Sequence, residues 1–221
     1  MKKYSKFSDI HAVLNKAKRL IEKIEDEYKQ SLTSQTVSDE LLVDIKDYLG
    51  NLRSALDYLR AKVSKHSFPI CKTEKEFENV TTDLSDEIKN MIKKFQPFQG
   101  NDWISWFNTL NNKSKHLTLI PQKRKEDIRV TVSSPKGGSV SWGQDVTFGN
   151  GVSVMGVPID PQTQMPIPNN IVKTEKITWV NFEFDNSNCP ELPPNISALP
   201  FLKQCFEKIS QIISEIEMVI K

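Results

Sequence analysis

No run of the chain approaches the roughly 18 consecutive apolar residues needed to cross a bilayer. No apolar stretch that could act as a secretory leader follows the basic start MKKYSKFSDIHAVL. A membrane partner is therefore not expected, and the cytoplasm is the expected compartment. Cysteine is scarce too: Cys71, Cys189 and Cys205 are odd in number and lack paired spacing, which argues against a disulfide scaffold and suits free thiols in a reducing compartment. Histidine is limited to His11, His66 and His116, none accompanied by cysteines or carboxylates at ligand spacing. Neither a metal site nor a cofactor is expected. A Gly-rich phosphate loop leading into Lys-Ser or Lys-Thr is missing, as is a Gly-x-Ser-x-Gly elbow. A large excess of charge is also lacking: a net charge of +2 excludes a globally basic nucleic-acid binder but permits a local basic patch.

What the chain does have is helical periodicity. Ile10, Val13, Leu14, Ala17, Ile21, Ile24 and Tyr28 recur at three and four, placing one apolar stripe on a first helix. A second helix follows, with Ser38 as N-cap and acidic residues in its first turn, running to about Val63 through Leu41, Ile45, Leu49, Leu52, Leu56 and Leu59. A third runs from Leu84 to Phe95, where Pro97 and Gly100 stop it. A fourth begins near Asn101 or Asp102 and carries Trp103, Trp106, Phe107 and Leu110 toward Pro121. The two tryptophans one turn apart are read as core anchors.

Composition changes after Glu126. Six of the eight glycines lie between Gly137 and Gly156, and the runs IRVTVSS, SVSW, DVTF, VSVMGV and KITWVNFEF are short, β-branched or aromatic and often alternating. Gly149-Asn150-Gly151 reads as a hairpin turn, and Pro158 to Pro168 as a Pro-rich loop. From Leu199 to Ile220 the helical period returns, with Pro200 in the first turn. The expected fold is α+β: a helical bundle over 1–125, an inserted antiparallel β meander over 126–189, and a C-terminal helix over 190–221 that completes the bundle.

One set of polar residues departs from the core pattern. Arg53 and Asp57 are four apart on the flank of the second helix, where they can form an ion pair. Asn112 and His116 are likewise one turn apart on the fourth helix, opposite its apolar face. From Trp103 to Lys125 the chain holds Lys113, Lys115, Lys123, Arg124 and Lys125 and no acidic residue, an imbalance that suits an anion. The plainer readings are a solvated ion pair and a cationic helix C-terminus favoured by the macrodipole.

The pieces NLRSALDYL, FPI, QPF and NKSKH, in that order between about Leu49 and Leu119, resemble a widespread group of uncharacterised bacterial helical proteins. That group in turn resembles the HEPN superfamily, helical domains of bacterial defence and toxin-antitoxin systems, several of them metal-independent ribonucleases. The resemblance implies RNA binding and ribonuclease activity, with His116 as proton-transfer residue, Asn112 orienting it, Arg53 holding phosphate, and Lys113, Lys115 and Arg124 binding the substrate. It also implies a homodimer. One position departs from the superfamily motif: Asn111 stands where an arginine is expected, and an amide cannot replace a guanidinium opposite developing phosphate charge. The alternative is a non-catalytic interaction module, in which Arg53, Asp57, Asn112 and His116 form a structural network and the β segment recognises a protein partner.

Overall fold

The structure, a computed structural model, describes residues 6–135, 137–143, 146–167 and 172–220, with the backbone alone for residues 127, 177–179 and 188. The fold is α+β and mainly helical, with small antiparallel sheets before the last helix. The chain divides into two compact units, one of residues 1–123 with 182–221, the other of residues 124–181.

In the helical unit, α1 (Ser8–Ser34) and α2 (Asp39–Ala61) pack along one another, and α2 also meets α5 (Asp102–His116) and α6 (Ala198–Ile220). Ser38 caps α2 as its type and position lead one to expect, its Oγ accepting from Leu41 N at 3.1 Å. The heptad-like stripe Leu41, Ile45, Leu49, Leu52, Leu56 and Leu59 is buried throughout. The closing helix packs back as its apolar face requires: Leu202, Cys205, Ile209, Ile212 and Ile213 are covered, and Tyr48 on α2 donates its hydroxyl to the Leu202 carbonyl at 2.7 Å.

Among the described residues five α-helices, not four, precede the sheet. The extra one, α3 (Glu74–Val80), is too short to show a period. It is set by a capping box in which Thr73 and Glu76 satisfy each other's backbone N–H. Next, α4 spans Asp86–Lys93, followed by a 3₁₀ turn at Pro97–Gln99 that ends on Gly100, whose φ of +82° is a left-handed conformation glycine adopts without strain. Asn101 precedes α5 but does not cap it; its amide donates to the Lys94 carbonyl at 2.7 Å. α5 ends at His116, short of Pro121.

β1 (Gln122–Ser133), whose first two residues belong to the helical unit, lies between β2 (Ser139–Gly143) and β5 (Lys173–Phe184), whose last three do, with β1 and β2 antiparallel in the register Val132 opposite Val140. Val130, Val132, Trp142, Val157 and Ile159 form a small core of their own. The hairpin of β3 (Ser153–Val154) and β4 (Val157–Pro158) turns at Met155 and Gly156, both with positive φ, and not at Gly149-Asn150-Gly151. Residues 146–148 of the DVTF run are not in a strand, and Pro168, the end of the expected Pro-rich loop, lies outside the described residues.

The expected boundary at 189 falls at 181 instead. Phe182 and Phe184, the last alternating residues of β5, are buried in the core of the helical unit, where Phe182 meets Tyr28. Just beyond, Lys123 and Ser187 hold the Asp185 carboxyl down at about 2, the Lys123 bond at 2.7 Å being the larger cause.

Candidate functional site

Arg53 and Asp57 do pair, but they also do something that helical spacing does not predict. Asp57 Oδ2 accepts from Arg53 Nε at 3.1 Å, and Oδ1 accepts from Arg53 Nη2 and from Phe68 N, both at 2.9 Å. Arg53 Nη2 also donates to Phe68 O at 2.9 Å. The pair thus satisfies both backbone groups of Phe68, whose ring is sunk in the core. From the other side, the fully buried Gln96 donates to Pro69 O at 3.0 Å and accepts from Cys71 N at 2.9 Å. Pro69 brings no N–H to be satisfied. The loop after α2 is therefore fixed through its backbone by three side chains.

α5 forms the opposing wall. Asn108 Oδ1 accepts from Arg53 Nη1 at 3.4 Å, a long bond that links the two helices. Asn111 is buried, and its amide donates to Asn112 Oδ1 at 3.2 Å. Arg53, Asp57, Asn108, Asn112, Lys115 and His116 border one pocket of about 390 Å³, together with Asn111, Phe68 and Ile70. Its lining is polar, unlike the mostly apolar cavities that take drug-sized ligands. Since Asp57 offsets Arg53, the net positive charge comes from Lys115. Neither Lys115 nor His116 is engaged by a side-chain hydrogen bond or ion pair among the described residues.

Four of the residues singled out in the sequence, Arg53, Asn112, Lys115 and His116, thus share one pocket, and Asp57 joins them. Lys113 and Arg124 do not line it. Lys113 turns to Glu191 at 3.3 Å, while Arg124 belongs to the second unit and pairs with Glu126. The basic run after α5 is largely neutralised, since Lys123 pairs with Asp185. Asn108, four before Asn112 on the same helix face, is a pocket residue that the charge pattern does not single out. Gln96 and the Phe68 backbone leave no periodic signal.

Among the described residues, Glu27, Glu40 and Asp44 place carboxylates close enough to surround a cation. The Lys23 ammonium already stands among them, at 3.3, 2.9 and 2.7 Å.

Set against protein-family models, curated proteins and solved structures, the chain matches none. No helix among the described residues is long and apolar enough to cross a membrane.

Proposed function

We propose that the protein binds RNA in the pocket between α2 and α5 and cleaves it there without a metal, as a HEPN-like ribonuclease. The observation that carries this reading is that Lys115 and His116, without a side-chain partner among the described residues, share a polar pocket with Arg53 and Asn112. RNA supplies its own nucleophile. The ribose 2′-hydroxyl attacks the adjacent phosphorus and gives up its proton, and the 5′-oxygen leaves with a proton, yielding a 2′,3′-cyclic phosphate and a 5′-hydroxyl. His116 is suited to moving those protons because an imidazole can both accept and donate. Lys115 holds the phosphate. Arg53 Nη1, tied to Asn108 only by the long 3.4 Å bond, can turn toward it. In this reading Arg53 takes over the part that buried Asn111 cannot play. The homodimer, the defence or toxin-antitoxin setting and a protein partner for the β unit come with the HEPN resemblance and the sequence pattern, and stand as further proposals.

The test is cleavage of total RNA by purified protein, with and without EDTA, against His116→Ala. Activity should persist in EDTA and fall by about 10²- to 10⁴-fold in the variant. Wild-type protein that cleaves no better than His116→Ala removes the catalytic part. RNA affinity that declines with salt and with Lys115→Ala would then leave a binding role.

A second reading, the non-catalytic network, is favoured by one observation: Arg53 Nε and Nη2 are already committed to Asp57 and Phe68. On that reading Asp57→Ala, which strands Phe68 N, lowers the melting temperature while RNA has no measurable affinity for either protein.

A further inference from the structure

Along the exposed side of α2, a second pocket of about 290 Å³ is bordered by Lys46, Asp47, Gly50, Asn51, Ser54 and Lys115. Lys115 lines both pockets, so the two adjoin across its side chain. Their hydrogen-bonding characters differ. Ser54 spends its one hydroxyl hydrogen on the Gly50 carbonyl at 2.8 Å, and Asn51 gives an amide hydrogen to the Asp47 carbonyl at 2.6 Å. Asn51 keeps one amide hydrogen, and the two side chains also present acceptors: the Ser54 Oγ lone pairs and the Asn51 carbonyl oxygen. The charge of Lys46 is offset by Asp47, 3.3 Å away. The net charge of both pockets is thus that of the shared Lys115, and the second differs from the first in its uncharged groups, whose lone pairs suit a hydroxyl that brings its own hydrogen.

A ligand that suits both pockets carries an anion on one side of Lys115 and a hydroxyl donor on the other. We infer that the second pocket is a sugar subsite: it accepts a hydrogen bond from the ribose 2′-hydroxyl of the nucleotide on the 3′ side of the phosphate in the first pocket, a hydroxyl other than the nucleophile. Asn51 and Ser54 are its specificity-determining residues, and Lys115 straddles the junction. This rests on the RNA reading of the first pocket. Deoxyribose has no hydroxyl at that carbon and leaves the acceptors unmatched, which is how a protein tells RNA from DNA at one position.

The experiment is fluorescence anisotropy of the full chain at low salt with three short oligonucleotides of one sequence: ribose, deoxyribose and 2′-O-methyl ribose. The methylated strand keeps an RNA-like shape and resists cleavage, but lacks the donor. Wild-type protein should prefer the ribose strand by roughly three- to tenfold over both others, the worth of about one hydrogen bond. Asn51→Ala and Ser54→Ala should each reduce that preference, and together erase it, without changing affinity for the deoxyribose strand. Both replace side chains on a helix surface with a better helix former, and matching melts would establish that they fold. Lys115→Ala should weaken all three strands alike. Equal wild-type affinity for the three strands, with Lys115→Ala still weakening them, leaves the anion pocket and removes the sugar subsite. A ribose preference that survives the double variant removes Asn51 and Ser54 from it. If no strand binds, the RNA reading falls and takes this inference with it.

Discussion

Seven residues apart on α2, Arg53 and Arg60 do the same chemistry in different surroundings. Arg60 Nη2 donates to Asp83 Oδ1 at 2.6 Å and to Val80 O at 3.3 Å, so it pins the chain after α3 much as Arg53 pins the loop at Phe68. The Arg60 side chain, however, is wholly covered, whereas that of Arg53 keeps 14% of its surface and borders a pocket whose far wall holds Lys115 and His116. An arginine clamped to a carboxylate and a carbonyl is thus no sign of function in itself. What distinguishes the Arg53 site is that Lys115 and His116, uncommitted among the described residues, line the same pocket.

The largest effect should come from the covered clamp. Arg60→Ala removes a buried stem along with its hydrogen bonds and should cost about 3 kcal/mol, a drop in melting temperature on the order of 10 °C for a chain of this size. Arg60→Met keeps most of the stem's packing and should cost well under half of that. Arg53→Ala should fall below both in stability cost while abolishing RNA affinity. The contrast between the two arginines breaks if Arg53→Ala destabilises as much as Arg60→Ala and leaves RNA binding untouched.

Acid sharpens the same contrast with a smaller effect. Hydrogen bonding from Ser64, and secondarily from Arg60, lowers the Asp83 carboxyl below its ordinary value of 3.8 against an opposing contribution from burial. A carboxylate whose folded value lies below its unfolded one contributes stability in full above the unfolded value. That contribution is lost as pH falls through the folded value. Urea midpoints compared at about pH 6 and about pH 3 should therefore decline less steeply for Asp83→Asn than for the wild type. Parallel declines would mean that Asp83 makes no net contribution to acid sensitivity.

How far the sequence could be read depends on the distance over which each interaction acts. The stripe of α2 and the Ser38 cap are visible because they recur within one or two turns. The Arg53–Asp57 pair is visible for the same reason. The Asp57 bond to Phe68 N crosses 11 residues and ends on a backbone atom that no residue type announces, and Gln96 reaches Pro69 across 27. Alternation in KITWVNFEF indicates a strand, but does not tell that its last aromatics, Phe182 and Phe184, serve the helical core and not the sheet's own. A boundary read from alternation alone therefore falls eight residues too late, at 189 and not 181. Lys113 could not be separated from Lys115 by composition; their different fates follow from Glu191, which the chain returns only after the β unit.

The smallest effect is expected at Gly50, and it separates stability from the site. Glycine inside a helix costs about 0.5 to 1 kcal/mol relative to alanine. Gly50 sits mid-way along α2, where a Cβ would meet the Lys115 Cε at 3.7 Å, an ordinary van der Waals distance. Gly50→Ala should therefore stabilise the protein, raising the melting temperature by roughly 1 to 3 °C. The new methyl would support the Lys115 stem without displacing it, so RNA affinity should change less than about twofold. A lower melting temperature would mean that the stem lies too close to the helix to admit a methyl group. A higher melting temperature with RNA affinity reduced about tenfold or more would carry different information: the glycine would then be what lets a ligand approach the α2 backbone, and the second pocket would be reading that backbone as well as Asn51 and Ser54.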